Sequence, residues 1–118
     1  MLNTSQKKYL RGLAHSLKPL ILIGGNGVTP NLLAAIDEAL EGHELIKIRF
    51  NNHKDQKKEL LEEIIIGTNC EAAGMVGHVS MLYRARKEEK KRTIFFPNEK
   101  PPRSDTLRAK NQKQNPGG

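Results

Sequence analysis

The spacing of apolar residues changes period several times along this chain, and each change marks an element. Leu10, Leu13, Ala14 and Leu17 fall at helical spacing, with Lys7, Lys8, Arg11 and His15 on another face. That pattern predicts a helix over residues 4–15, stopped by Pro19. Leu20 to Ile23 is a continuous apolar run before glycines, short enough for a buried strand. After Gly24-Gly25-Asn26-Gly27, Thr29-Pro30 reads as an N-cap with proline at the first helical position. It opens a helix through Leu32, Leu33, Ile36, Ala39 and Leu40 that ends at Gly42.

From Leu45 to Phe50 the period is two, with Ile46, Ile48 and Phe50 on one side and Lys47 and Arg49 on the other. This is a strand covered on one face, which leaves the sheet open on its other side. A helix from about Lys54 to Ile66 follows, with Leu60, Leu61, Ile64 and Ile65 as its buried stripe and Gly67 as its stop. Two strands, Ala72 to Val76 and Val79 to Arg84, are joined by Gly77-His78, a pair suited to a type II′ hairpin turn. The predicted order is α-β-α-β-α-β-β. Beyond Arg86 periodicity is lost among prolines, charges and amides, which predicts disorder except at Ile94-Phe95-Phe96-Pro97, whose phenylalanines are candidates to cover a domain edge.

The 118 residues provide for one core, and 20 Lys and Arg against 13 Asp and Glu give a net charge of +7, the balance expected of a protein that meets phosphate. From Arg86 onward ten basic residues face four acidic ones, so +6 of that +7 belongs to the C-terminal segment. A binding site in the folded part must therefore be argued from position. Cys70 is the only cysteine, which excludes an internal disulfide and a cysteine-based zinc site and fits a reducing compartment. The polar N-terminus and the absence of a long apolar run argue against a signal peptide and a membrane span, so the expected location is the cytoplasm.

A strand, a glycine-rich turn and a helix N-terminus together lay backbone N–H groups open to an anion. The spacing is wrong for a dinucleotide site, since Pro30 stands where a third glycine belongs, and the Lys-Ser/Thr of a P-loop is absent. What remains is Gly-x-x-Gly, the loop with which KH-like modules clamp a nucleic-acid backbone, or else a plain strand-to-helix turn. Charge favours the first. A first helix of about 18 Å, lying antiparallel along the first strand, would return Lys7 and Lys8 to the glycine end. A parallel crossover would bring Asn51, Asn52 and His53 to the same edge, and Lys54, Lys57 and Lys58 with them. The expected contacts to a nucleic-acid backbone are thus Gly24, Gly25, Asn26, Gly27, Thr29, Lys7, Lys8, Arg11, Lys54 and Lys57. The four histidines are scattered and no carboxylate clusters with them, so no metal site, cofactor, small-molecule substrate or catalytic constellation is expected. The low aromatic content of 4% argues against a base-stacking platform.

Four separated stretches carry a resemblance: Leu10 to Pro19, Ile23 to Thr29, His43 to Ile48, and Leu82-Tyr83-Arg84. Together they resemble the CRM domain family in its free-standing bacterial YhbY-like form, over roughly residues 3–97. The resemblance implies an α+β two-layer sandwich, with helices on one face of a mixed four-stranded sheet, similar to the C-terminal domain of bacterial translation initiation factor three. It also implies RNA contact through the loop Gly24 to Gly27 and association with large-subunit ribosome precursors. The expected organisation is an RNA-binding domain over 1–97 and a basic, disordered tail over 98–118. The expected function is non-enzymatic binding of ribosomal RNA during assembly; the alternative is a ribosome-associated adaptor whose contacts are mainly with protein.

Overall fold

The computed structural model describes residues 1–99, as two units, Met1–Arg84 and the segment from Ala85 onward. The first unit runs α1 (Thr4–Ala14), β1 (Pro19–Ile23), α2 (Pro30–Gly42), β2 (Leu45–Phe50), α3 (Lys57–Thr68), β3 (Glu71–Val76) and β4 (Val79–Tyr83). The strands form one mixed sheet in the order β1-β2-β4-β3, with β1 parallel to β2 and the other pairs antiparallel. The fold is therefore α+β, with three α-helices and a four-stranded mixed sheet.

The element ends follow local chemistry. Asn3 caps α1 in a reciprocal box with Gln6, a pairing that apolar spacing alone does not reveal. Thr29 Oγ1 accepts the Leu32 N–H at the start of α2, as its position before Pro30 predicts. Lys54–Gln56 forms a separate 3-10 turn, so α3 begins three residues later than its apolar stripe indicates. Nor does Gly67 stop α3. The helix runs through it to a left-handed Asn69, and a Cβ on Gly67 would sit 3.1 Å from two Leu33 carbons. Glycine there lets α3 close onto α2. At the hairpin, Gly77 has φ +61 while His78 stays outside the left-handed region, the pattern of the expected type II′ turn.

The main core lies between the sheet and the pair α2 and α3, and centres on Ile23, Ile36, Leu40, Ile46, Ile48, Phe50, Ile64 and Leu82. The layering departs from expectation. Helix α1 packs on the opposite sheet face, mainly against β3, with Leu10 and Ala14 fully buried and Leu13 and Leu17 about 40% exposed. The Arg11 side chain crosses Gly74 so closely that a Cβ there would lie 2.8 Å from Arg11 Cδ, and its Nη1 donates to the Ala73 carbonyl at 3.1 Å. Helices thus occupy both faces, because the Leu10 and Ala14 stripe needs an apolar floor and Leu45, Ala73, Met81 and Tyr83 provide one.

This helix covers only part of its face. The continuous apolar run of β1 predicts burial on both sides, yet Leu20 and Leu22 are 55% and 57% exposed at the uncovered sheet edge. At the far end Arg84 fastens the unit: its guanidinium donates to Asp37, Glu41 and the Thr68 carbonyl at 2.6–2.9 Å, joining the end of β4 to α2 and α3. In the second unit, Arg92 pairs with Glu99 at 3.0 Å and lies 4.8 Å from the Phe95 ring centroid. Nothing in the periodicity signals that local order. Nearly all of the expected tail, from Lys100 on, lies outside the described residues.

The two faces of α1 make a direct test. Leu10→Ala, at a fully buried position, is expected to cost about 3 kcal/mol, the scale of leucine truncation in a packed core, while Leu13→Ala should cost under about 0.5 kcal/mol. Urea unfolding monitored by circular dichroism measures both. Equal losses would mean that the helix is rotated from the orientation described.

Candidate nucleic-acid interface

Strand β1 ends at Ile23 and the chain turns at once, the Gly27 N–H donating to the Gly24 carbonyl at 3.0 Å. Gly25 and Asn26, the central residues, have ordinary φ, and the left-handed step falls on Gly27 at φ +67. This fits a type I turn, which most residues adopt. Only Gly27 is demanded by backbone conformation. At Gly24 and Gly25 an added Cβ would meet nothing within 4 Å, so the fold makes no steric use of glycine at either position.

The loop after β2 braces this turn. The Ile23 carbonyl accepts the N–H groups of Asn51 at 3.0 Å and Asn52 at 3.2 Å. His53 then takes a left-handed conformation, φ 56 and ψ 39, a strained state for a non-glycine residue that costs about 1–2 kcal/mol. Its Nε2 lies 2.8 Å from the Gly25 carbonyl oxygen, and since that oxygen can only accept, Nε2 carries the proton. The parallel crossover thus brings Asn51, Asn52 and His53 to the glycine edge, where they line a broad open basin of about 570 Å3 with Lys54, Asp55 and Gln56.

The β3–β4 hairpin joins the same edge, because the Phe50 N–H donates to the His78 carbonyl at 2.8 Å. Lys57 Nζ donates to the Gly77 carbonyl at 2.6 Å and lies 3.0 Å from His78 Nδ1. Local desolvation, and then the charges of Lys57, Lys54 and Arg49, hold the His78 pKa below the ordinary histidine value.

The expected contacts divide accordingly. Gly24, Gly25, Asn26, Gly27, Thr29, Lys54 and Lys57 belong to one edge. Lys7, Lys8 and Arg11 do not join them. Helix α1 lies across β3 rather than along β1, and the Leu2 N–H just before it donates to Glu71 at 2.6 Å. Glu71 pairs with Tyr83, which pairs with Leu45, at the end of the sheet away from Phe50 and Ile23. Lys7 and Lys8 are exposed near that distal end, and Arg11 is committed to β3. Matching helix length to strand length fails here because it presumes the strand against which α1 packs.

The helix N-terminus also offers fewer donors than the motif suggests. Pro30 has no N–H and Thr29 takes that of Leu32, so within the first turn Asn31 is left to present one outward. Sequence reasoning brings His53 to this edge but counts neither it nor His78 nor Arg49 among the contacts. The signals are present for two of them: His53 ends the loop after a strand parallel to β1, and His78 sits in a recognisable hairpin turn. Among the described residues no group of three metal-ligating side chains converges, and no helix is long and apolar enough to cross a membrane. Burial raises the Cys70 pKa, keeping the thiol protonated beside Thr68.

Known proteins resemble this chain in sequence and fold. A model of the CRS1/YhbY (CRM) domain matches residues 2–84. The chain is similar to an RNA-binding protein of Haemophilus influenzae, 41% identical over 90 residues that span 75% of this chain and 91% of that one. It is also similar to a Bacillus subtilis protein whose name gives RNA binding as its expected role, 36% identical over 76% of this chain and 95% of that one. A solved structure from Staphylococcus aureus, of a protein for which RNA binding is proposed, superposes with a TM-score of 0.67 at 40% identity, covering 80% of this chain and 99% of that one. With the match extending from Leu2 to Arg84, the whole first unit, the chain belongs to the CRS1/YhbY (CRM) domain family.

Proposed function

We propose that this protein binds RNA by its sugar–phosphate backbone across the glycine edge, and that its RNA is ribosomal, carried in precursors of the large subunit. The observation that carries the reading is the pair Gly24 and Gly25. The fold needs neither as glycine, yet both leave bare backbone on the edge that also carries Lys54 and Lys57, with Arg49 paired to Leu22 just inside it, which suits close approach of a phosphate. The relatives named for RNA binding support the RNA part of this reading, and the ribosomal part rests on what the resemblance to the YhbY-like family implies. The chemistry needed is binding alone: backbone donors and lysines neutralise phosphate and release counterions, and no bond need be made or broken.

Replacing Gly25 and Asn26 with Asp tests the loop directly. Both have ordinary φ and Gly25 has open space around it, so stability should change by less than about 1 kcal/mol. RNA affinity should fall at least tenfold, about 1.4 kcal/mol, while Glu62→Gln with Glu63→Gln on α3 leaves it nearly unchanged. Filter binding on ribosomal RNA fragments measures both. Wild-type affinity in the folded Asp variant would make the loop only a turn.

The lysines should register in salt dependence. Each phosphate neutralised on a single strand contributes about 0.7 to the slope of log affinity against log salt, so Lys54→Gln with Lys57→Gln is expected to reduce that slope by about 1.4. An unchanged slope would remove these residues from the interface.

His78 gives a pH signature. Its pKa is held down in the free protein by local desolvation and neighbouring cations, and a phosphate set against those cations must raise it. Binding then takes up a proton, so affinity should increase as pH falls below neutrality, and His78→Gln should reduce that increase. Titration of the imidazole signals by NMR with and without RNA measures the shift, and a pKa unmoved by RNA would place the phosphate elsewhere.

A further inference from the structure

The sheet face that α1 only partly covers holds a second feature next to the glycine edge. Residues directly paired across strands share a face, so Leu22, Arg49, Val79 and Val76 form a row across the sheet just inside that edge. The next row contains Lys47, Met81 and Gly74, with Arg11 laid over the last. Between these rows and the end of α1 lies a half-open groove of about 420 Å3, within the range of small-molecule sites. Pro19, Val76, Val79 and Met81 make its apolar walls, and Arg11, His15 and Lys47 its polar ones. Leu22 and Val76, at its upper row, are 57% and 68% exposed.

The groove exists for an identifiable reason. Lys47 Nζ donates to the Leu17 carbonyl at 2.9 Å, holding the turn after α1 above β2, while Arg11 passes over Gly74 and donates to the Ala73 carbonyl, fixing the helix on β3. Between them the sheet is only partly covered, Met81 lying buried and Val79 half-buried.

We propose that this groove receives an unpaired base of the RNA strand whose backbone crosses the glycine edge. The inference rests on the reading of that edge as a backbone site. Charge selects the occupant: Arg11 and Lys47 line the groove, Arg49 pairs with its wall residue Val79, and among the described residues no carboxylate lines it, which suits a group tethered to phosphates. Shape agrees, since aliphatic walls hold a flat ring by its faces while Arg11 and His15 meet its polar rim. The aliphatic walls give contact without ring-on-ring stacking, so a base here needs no tryptophan or tyrosine platform. The consequence is a preference for single-stranded over duplex RNA, because a paired base cannot leave its stack to enter.

The experiment uses full-length protein labelled at valine and methionine methyls and at backbone amides, titrated with a 12-nucleotide oligouridylate and with the same backbone made abasic at its central positions. The expected result is that loop amides, Asn26 and Gly27, shift with both probes while the Val76, Val79 and Met81 methyls shift only with the base-bearing one. Affinity should be about fivefold higher for the base-bearing probe, and Val76→Asn with Val79→Asn should abolish that difference without changing the salt slope. Groove methyls that stay still, or that move equally with the abasic probe, overturn the proposal while the loop reading stands. The groove would then be open to a protein partner. Loop amides that ignore both probes overturn the backbone reading, and this one with it. Should the double Asn variant not fold, the methyl shifts of the wild type decide alone.

Discussion

One carbonyl organises the glycine-loop end of this molecule. The Ile23 oxygen, at the last residue of β1, accepts the N–H groups of both Asn51 and Asn52, so the parallel pairing of β1 and β2 continues past the strands into their loops. The glycine turn and the His53 loop are thereby presented side by side, and His53 adds a second tie through the Gly25 oxygen. A parallel pair cannot be closed by a tight hairpin and needs the crossover through α2, which delivers both strand ends to the same side. The antiparallel partner β4 then brings its own turn to that side through the Phe50 and His78 bond. Three loops from distant sequence positions share an edge because of strand direction alone.

Much of this was legible in the chain. The period-two run Leu45 to Phe50, the Thr29-Pro30 helix start and the Gly77-His78 turn each state a local rule that the structure keeps. Strand direction follows from connection length, so the company of Asn51, Asn52 and His53 with the glycine loop could be reasoned as well. What could not be read was the partner of α1. Its stripe says that one side is buried, but nothing local says against which strand, and the choice of β3 over β1 sends Lys7 and Lys8 to the other end of the sheet. Gly74 is the residue that encodes this choice, since only there can Arg11 pass so close to the sheet. A lone glycine in a short strand reads as a weakness until the residue above it is known. Gly67 misleads in the same way, its absent side chain being room for Leu33 rather than a helix stop.

The two faces of the sheet are used differently. Toward α2 and α3 the packing is complete, and Arg84 ties both helices to the end of β4, which accounts structurally for the Leu82-Tyr83-Arg84 stretch that carries part of the family resemblance. Toward α1 the packing is partial. Arg49, paired with Leu22 and Val79, links the cationic rows of that face to the glycine edge, although the folded unit carries little net charge. Position accomplishes there what overall composition does not.

The strand order has a consequence for how the chain is made. In β1-β2-β4-β3 the last strand synthesised is an inner one, inserted between two that have already emerged. At translation rates of roughly 5–20 residues per second, the edges of β2 and β3 that will face β4 stay unpaired for on the order of a second while Val79 to Arg84 are added. The nascent protein therefore passes through an interval in which two open strand edges flank a vacancy. Arg84, the residue just after β4, is also the one that ties both helices, so completing the sheet and fastening α2 and α3 depend on the same stretch of chain.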